Sequence, residues 1–150
     1  MSYTSLLYHI IFRPKHSIPA IPAEHEKNLY SYIWGFIKNK NGILYRIEGM
    51  PDHIHLLVQL PPTLALSDFM HDLKLATHRY MREEKEKFPL FEGWGKSYCA
   101  LSCSRESREK IINYIKNQKV HHQTKNFHEE LINLLKDAEV EVNERYIFCD

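Results

Sequence analysis

The segment ILYRIEGMPDHIHLLVQL, residues 43–60, has the pattern of two β-strands joined by a short turn. Ile43–Glu48 is rich in β-branched and aromatic residues, and His53–Leu60 is almost continuously apolar after its histidines. The sequence MPD between them, residues 50–52, is typical of a turn. We therefore expect an antiparallel pair whose second strand is buried in the centre of a sheet.

Elements on either side of this pair complete a β-α-β-β-α-β order. Apolar runs predict strands at Leu6–Phe12 and Ser97–Ser102, and helical spacing of apolar residues predicts helices at Pro22–Lys38 and Ser67–Lys87. This order is that of the α+β ferredoxin-like or RRM-type fold, a four-stranded antiparallel sheet with two helices on one face. Because no linker or repeat interrupts it, the chain 1–150 is expected to form one domain.

Additional C-terminal helices are predicted after the fourth strand. Ser107–His121 and Glu129–Ala138 both carry apolar residues at helical spacing. The tail that ends in RYIFCD is partly apolar, and we expect it to dock on another surface of the domain.

Composition narrows the class of protein. The chain has 150 residues, of which 43% are hydrophobic and 26% charged, as in ordinary globular domains. A formal net charge of +1 means that any nucleic-acid site has to be a local basic patch. Three cysteines, Cys99, Cys103 and Cys149, without a C-x-x-C pair argue against a disulfide framework or a zinc knuckle. No signal or membrane-spanning segment is recognised, so a cytoplasmic location is expected.

His53 and His55 form the first motif with chemical meaning. Two residues apart in a strand, they share one face and lie roughly 6–7 Å apart, so both can reach one metal ion. The same pair can also simply fill a polar sheet face. A histidine-triad hydrolase is excluded because position 57 is Leu, and a two-histidine phosphoesterase is excluded because neither histidine begins an H-x-T motif.

Tyr114 and Gln118 form the second motif. They lie one turn apart on one face of the predicted helix, and His121 and His122 extend that face. A phenol beside a divalent ion can attack a phosphate, and a glutamine oxygen can bind a hard cation such as Mg²⁺ or Mn²⁺. Taken alone, a tyrosine among the isoleucines of a helix is more often a core residue.

Together the motifs resemble those of the single-tyrosine HUH transposases, including the group associated with repetitive extragenic palindromes. The histidine–hydrophobe–histidine motif stands within MPDHIHLLV, the family's Y-x-x-x-Q is YIKNQ, residues 114–118, and FRPK, residues 12–15, resembles its F-R-x-K. The resemblance extends over most of the chain, from Tyr8 to Phe148. FEGWGKSYCALS, residues 91–102, departs from the family's aromatic-Gln-Gly-Tyr run before the fourth strand.

The resemblance implies an enzyme that binds single-stranded hairpin DNA and cleaves and rejoins it through a 5′-phosphotyrosine intermediate. Tyr114 is then the nucleophile, and His53, His55 and Gln118 hold a divalent metal ion, Mg²⁺ or Mn²⁺. No nucleotide cofactor is implied. The resemblance also implies a homodimer, in which the tyrosine helix serves its own site or that of the partner.

Several polar residues are expected to support this chemistry. Glu48 and Asp52 are candidate hydrogen-bond partners of the histidines, although Asp52 can equally cap the turn, and His121 is a candidate for proton transfer. Cations near the site are expected to bind DNA phosphates. The candidates are Arg13, Lys15, Lys74, His78, Arg79 and Arg105.

Two other functions stay open. One is a domesticated, non-cleaving module of the same fold that holds hairpin DNA or RNA, and the other is a replication or mobilisation nickase of the same superfamily. The strands LYRIE and HIHLLV do not match the aromatic pattern of RNA-binding RRM domains. Histidines that precede a single tyrosine favour the transposase.

Overall fold

Four strands form one antiparallel sheet in the spatial order β2-β3-β1-β4. The strands are β1 (Leu7–Phe12), β2 (Ile43–Met50), β3 (His53–Gln59) and β4 (Cys99–Cys103). The structure is a computed structural model that describes residues 2–123, 125–148 and 150. The α+β class and the β-α-β-β-α-β order expected from the sequence are confirmed.

Six helices accompany the sheet in the described part of the chain. They are α1 (Glu26–Asn39), α2 (Leu66–Glu83), α3 (Arg108–Lys116), α4 (Gln118–His121), α5 (Phe127–Asp137) and α6 (Glu144–Ile147). Short 3-10 turns stand at Lys15–Ser17 and at Arg105–Ser107. Helix α1 begins four residues after the predicted start at Pro22, and α2 ends four residues before the predicted end at Lys87.

Alternation along β3 divides its side chains between the two faces of the sheet. Ile54, Leu56 and Val58 face α1 and α2 and are fully buried in the main core. Burial of each of these side chains contributes roughly 1.5–3 kcal/mol. The helices supply the rest of that core: Leu29, Ile33, Ile37, Phe69, Met70, Leu73 and Met81.

The opposite face of the sheet carries His53, His55 and Leu57, and the C-terminal helices cover it. Ile115 of α3 packs against Leu57 in one small apolar cluster. Leu131 of α5 belongs to a second cluster, centred on β1 and β4. Both histidines are completely buried, because these two clusters close the face on either side of them.

The predicted single helix Ser107–His121 is interrupted, which corrects the sequence-based boundary. Helix α3 ends at Lys116, and Asn117 takes φ −95° and ψ 20° before α4 begins at Gln118. Asparagine is a weak helix former, because its side chain competes for backbone hydrogen bonds. The break allows Gln118 to turn into the sheet face, where it is fully buried.

The structure bears on three expectations drawn from composition: those about cysteines, membrane-spanning segments and the number of domains. Cys99 and Cys103 are free thiols, and Cys149 lies outside the described residues. Among residues 2–123, 125–148 and 150, no helix is both long enough and apolar enough to cross a membrane. The expectation of one domain stays a prediction.

Gly49 is required where β2 passes the start of β3. A Cβ atom at this position would lie 2.2 Å from the carbonyl oxygen of His53 and 3.1 Å from Cα of Ile54. Both are backbone atoms, so β3 itself would have to shift. We expect Gly49→Ala to lower the free energy of unfolding, measured in urea, by about 1–3 kcal/mol.

Gly35 on α1 provides the matched control. Apart from its chain neighbours and the backbone of its own helix, no described atom lies within 4 Å of a Cβ built there, so Gly35→Ala meets no obstacle. This substitution should raise the free energy of unfolding by about 0.4–1 kcal/mol, because it restricts the unfolded chain. Equal effects of the two substitutions would contradict a steric role for Gly49.

Candidate active site

Strand β3 aims the imidazoles of His53 and His55 at the same side of the sheet. The ring centroids lie 5.2 Å apart, and both side chains are fully buried. Pairing of β3 with β1 and β2 on its two sides holds the backbone beneath them. Phe127 of α5 stacks on His53 at 4.2 Å between ring centroids, so the rings sit in a rigid pocket.

A carboxylate from α5 lies among the imidazoles. Glu130 Oε1 lies 3.1 Å from His55 Nε2 and 3.4 Å from His53 Nε2. His122, just after α4, brings its Nε2 within 3.0 Å of the same oxygen. Three imidazole nitrogens therefore converge on one carboxylate oxygen in a buried site.

The second oxygen of Glu130 joins the tyrosine and the glutamine to this cluster. Glu130 Oε2 accepts hydrogen bonds from Gln118 Nε2, at 2.8 Å, and from the Tyr114 hydroxyl. The other atom of the Gln118 amide, Oε1, lies 3.0 Å from His53 Nε2. The structure thus brings Tyr114 and Gln118 together with the histidines within a single chain.

Each histidine of β3 also has a polar contact at its Nδ1 atom, on the side of the ring away from the cluster. His53 Nδ1 lies 2.8 Å from Asp52 Oδ1, the contact expected from the sequence. His55 Nδ1 lies 2.8 Å from Nε2 of His9, a buried residue of β1 that sequence reasoning missed. Because the Nδ1 atoms are occupied, both Nε2 atoms are directed at the centre of the cluster.

The two histidines of β3 differ in pKa. Burial lowers the pKa of His53, but hydrogen bonds to Asp52 and Glu130 outweigh it and raise this pKa to about 9. At His55 burial dominates and lowers the pKa to about 4. His55 is therefore neutral at pH 7, which is the form of imidazole that binds metal ions.

The acidic groups of the cluster are shifted in opposite directions. Burial acts to raise the pKa of Glu130, but hydrogen bonds from His122, His53 and His55 hold it far below its usual range. Burial raises the pKa of Tyr114, and the hydrogen bond to Glu130 raises it further. In this arrangement the carboxylate is ionised and the phenol keeps its proton.

The donor set is compatible with a divalent metal ion. His53, His55 and Glu130 offer ligand atoms that all lie within 4.8 Å of one another, and all three residues are buried. Imidazole nitrogen and carboxylate oxygen are common ligands of divalent ions. Buried, prearranged donors of this kind can hold an ion without a large rearrangement.

Glu48 does not support a histidine as the sequence suggested. It pairs with His55 across the β2–β3 ladder, but its Oε1 accepts a hydrogen bond from Lys119 Nζ at 3.2 Å. Lys119 of α4 also binds Glu26 at 2.9 Å. The lysine draws Glu48 away from the imidazoles by charge attraction.

His121 packs against the candidate nucleophile. Its ring centroid lies 4.7 Å from that of Tyr114. The neighbouring His122, and not His121, is the one that contacts Glu130. The role of His121 in proton transfer stays a prediction.

Two of the six cations expected at DNA have internal partners. Arg13 is 3% exposed and forms an ion pair with Asp150 at 2.8 Å. Lys74 Nζ donates hydrogen bonds to the carbonyl oxygens of three consecutive residues, 95–97, at 2.8, 3.2 and 3.3 Å. In this conformation both stabilise the loop and the C-terminal tail, and neither presents a free charge to DNA.

The other four cations are more accessible. Lys15, Arg79 and Arg105 are exposed, and His78 is half-buried. They lie on separate elements, at the end of β1, on α2 and after β4. Their role in binding phosphates stays a prediction.

Two members of the cluster were not found from the sequence: His9 and Glu130. The available signal was a polar residue at an apolar position. His9 stands within the apolar strand LYHIIF, and Glu130 stands one turn after Phe127 on the buried stripe of α5. A carboxylate in such a stripe needs a buried partner.

Comparison with known proteins gives a consistent result. The family described as IS200-like transposases matches residues 2–118. The ISDra2 transposase TnpA of Deinococcus radiodurans is 35% identical over 118 residues, which cover 75% of this chain and 84% of that protein. The transposase for insertion sequence element IS200 of Salmonella typhimurium is 31% identical over 115 residues, covering 74% of this chain and 75% of that protein.

Solved structures share the fold. A Deinococcus radiodurans protein described as a transposase has a TM-score of 0.62 and 31% identity, covering 78% of this chain and 93% of its own. A REP-associated tyrosine transposase, solved bound to a REP hairpin, has a TM-score of 0.62 and 12% identity, covering 100% and 92%. At 12% identity the second likeness concerns the fold alone.

The internal hydrogen bonds of Lys74 predict a structural role that can be measured. We expect Lys74→Ala to lower the free energy of unfolding by about 1–3 kcal/mol, because it leaves carbonyl oxygens without a charged donor. Arg79→Ala, on the exposed side of the same helix, should change it by less than about 0.5 kcal/mol. Chemical denaturation of the two variants without DNA makes the comparison, and an equal response would argue against this role.

Proposed function

The chain belongs to the IS200-like transposase family, and on this premise we propose that it cleaves and rejoins single-stranded hairpin DNA through a covalent bond to Tyr114. The observation that carries the proposal is the shared carboxylate of Glu130. It contacts the Tyr114 hydroxyl with one oxygen and the imidazoles of β3 with the other. Nucleophile and candidate metal ligands therefore meet in one buried cluster.

The proposal includes a divalent metal ion, Mg²⁺ or Mn²⁺, held by Nε2 of His53, Nε2 of His55 and Oε1 of Gln118. Its support is the direction of these atoms toward one point, with Gln118 Oε1 only 3.0 Å from His53 Nε2. Anchoring of the histidines by Asp52 and His9 favours a fixed ligand geometry. When bound, such an ion polarises the scissile phosphate and neutralises developing charge.

In the proposed cleavage step, the Tyr114 oxygen forms a bond to phosphorus while the bond from phosphorus to the 3′-oxygen breaks. The phenol releases its proton to Glu130 Oε2 along its hydrogen bond, and the leaving 3′-oxygen takes a proton to become a hydroxyl. His121, packed on the Tyr114 ring, is the candidate donor for that proton. Attack of another 3′-hydroxyl on the phosphotyrosine reverses the step, so no nucleotide cofactor is required.

A cavity opens beside the proposed nucleophile. It has a volume of about 290 Å³, and its lining includes Tyr114, His121, Lys125, Glu130 and Asp137. Lys125 supplies a positive charge for the phosphate. Exposed Lys15, Arg79 and Arg105 are proposed to bind the DNA backbone farther away.

A hairpin is the proposed form of the DNA. The support is the fold shared with a REP-associated tyrosine transposase that was solved with a REP hairpin. Tyr114 and Gln118 reach the histidines of their own chain, which supports assembly of the site in cis. The homodimer implied by the sequence resemblance stays a prediction.

A non-cleaving hairpin-binding module is the second candidate. It is favoured by one observation, the hydrogen bond that holds Tyr114 in its protonated form on Glu130. The two candidates differ in whether a covalent adduct forms.

Trapping of the phosphotyrosine tests the proposal. The protein is incubated with single-stranded hairpin DNA from the flanks of its own gene and with Mg²⁺ or Mn²⁺, and adducts are separated on a denaturing gel. We expect a metal-dependent adduct that disappears in Tyr114→Phe, because only the nucleophilic oxygen is removed. Tyr32→Phe, a substitution on α1 across the sheet, should leave the adduct unchanged.

Other results have distinct meanings. An adduct that persists in Tyr114→Phe would show that another residue is the nucleophile. Tight binding of the hairpin without any adduct, with either metal ion, would favour the non-cleaving module.

A further inference from the structure

Helix α5 reaches the candidate active site although it lies outside residues 2–118, the part of the chain that matches the family. Its Glu130 is 3% exposed and touches the proposed nucleophile and the three proposed metal ligands. The contacts are with His53, His55, Tyr114 and Gln118. A residue in this position either takes part in the chemistry or prevents it.

The spacing of Glu130 from the nitrogens fits shared coordination. Two ligands that bind one ion at adjacent positions lie about 3.0 Å apart in an octahedron and about 3.4 Å apart in a tetrahedron, for bonds of about 2.1 Å. Glu130 Oε1 lies 3.1 Å from His55 Nε2 and 3.4 Å from His53 Nε2. Gln118 Oε1 lies 3.0 Å from His53 Nε2. All three separations fall within this range, so these atoms can be adjacent ligands of one ion.

The charge of the ion also favours coordination by Glu130. Two neutral imidazoles and an amide oxygen leave both positive charges of the ion without compensation. Mg²⁺ and Mn²⁺ prefer carboxylate oxygens, and protein sites for Mg²⁺ use one or two of them. Glu130 supplies a carboxylate at this point, and Asp52 is already engaged with the far side of His53.

The packing of α5 keeps the carboxylate in position. Phe127 stacks on His53, and Leu131 and Leu135 are buried in the cluster against β1 and β4. The side chain of Glu130 projects between these contacts into the site. Because α5 is packed on either side of Glu130, its carboxylate is held in a fixed position in the site.

We infer that Glu130 is a further ligand of the divalent ion, contributed by the C-terminal helix to the set of His53, His55 and Gln118. This inference rests on the proposed metal-dependent function. The same carboxylate also holds the Tyr114 hydroxyl next to the ion through its second oxygen. Glu130 is thus a catalytic residue, because it touches both the ion and the nucleophile.

A blocking role makes the opposite prediction about metal affinity. If Glu130 occupies the position of the ion, its removal must strengthen ion binding. If Glu130 is a ligand, its removal must weaken ion binding. Metal affinity without DNA therefore separates the two roles, independently of cleavage.

The test is Mn²⁺ binding followed by electron paramagnetic resonance, in which the free ion gives a sharp signal that is lost on binding. Glu130→Gln keeps the shape of the side chain and removes the negative charge. We expect its Mn²⁺ affinity to fall by at least about tenfold. Glu129→Gln, an exposed neighbour on the same helix, should bind as the wild type does.

Two further variants keep the test interpretable. His53→Ala, which removes a ligand of the proposed function, should also lose Mn²⁺ affinity. Glu130→Asp retains the carboxylate on a shorter side chain and should bind more tightly than Glu130→Gln, which a merely structural role would not require. Thermal melting without metal establishes whether each variant is folded. If Glu130→Gln is not folded, the Mn²⁺ affinity of Glu130→Asp is compared with that of the wild type instead.

The outcomes distinguish failure of the inference about Glu130 from failure of the proposed metal-dependent function. Unchanged or tighter Mn²⁺ binding by folded Glu130→Gln, with binding lost in His53→Ala, would overturn the inference and leave the proposed metal site intact. Absence of Mn²⁺ binding by the wild type would overturn both.

Discussion

The buried carboxylate of Glu130 is the interaction on which the arrangement of the C-terminal half depends. An ionised carboxylate is costly to bury without partners, and here imidazoles, an amide and a phenol surround it. Those partners come from β3, α3, α4 and the residues that follow α4. The charge is satisfied only when all of these elements are in place, so the cluster specifies how the helices cover the sheet.

The sheet makes this possible because both of its faces are buried. The face toward α1 and α2 is purely apolar around Ile54, Leu56 and Val58, and it holds β3 in place. The other face is apolar at its two ends, near Leu57 and Ile11, and polar between them. Rigidity from one face and chemistry on the other follow from strict alternation along a single strand.

Features that depend on short-range sequence patterns could be predicted from the sequence. The order of strands and helices along the chain and the common face of His53 and His55 follow from periods of two and of 3.6 residues. Glu130 was missed because its partners lie up to 77 residues away in the chain, as the separation of 75 from His55 illustrates. The break at Asn117 was missed because local propensity marks it weakly, and the tertiary contacts of Gln118 determine it. Arg13 and Lys74 show the converse: a local pattern suggested DNA contacts, and the fold gives both internal partners.

Because the proposed ligands lie on separate elements, binding of a metal ion would be coupled to the docking of helix α5. A donor set drawn from β3, α4 and α5 is complete only while α5 is packed, since Glu130 moves with that helix. An ion that binds this complete set must therefore stabilise the docked helix by its binding free energy. Conversely, the apolar contacts of Leu131 and Leu135 hold the site assembled before any ion arrives. Packing and the proposed coordination would thus act on the same helix, and both would position the phenol of Tyr114, which is hydrogen-bonded to the same carboxylate.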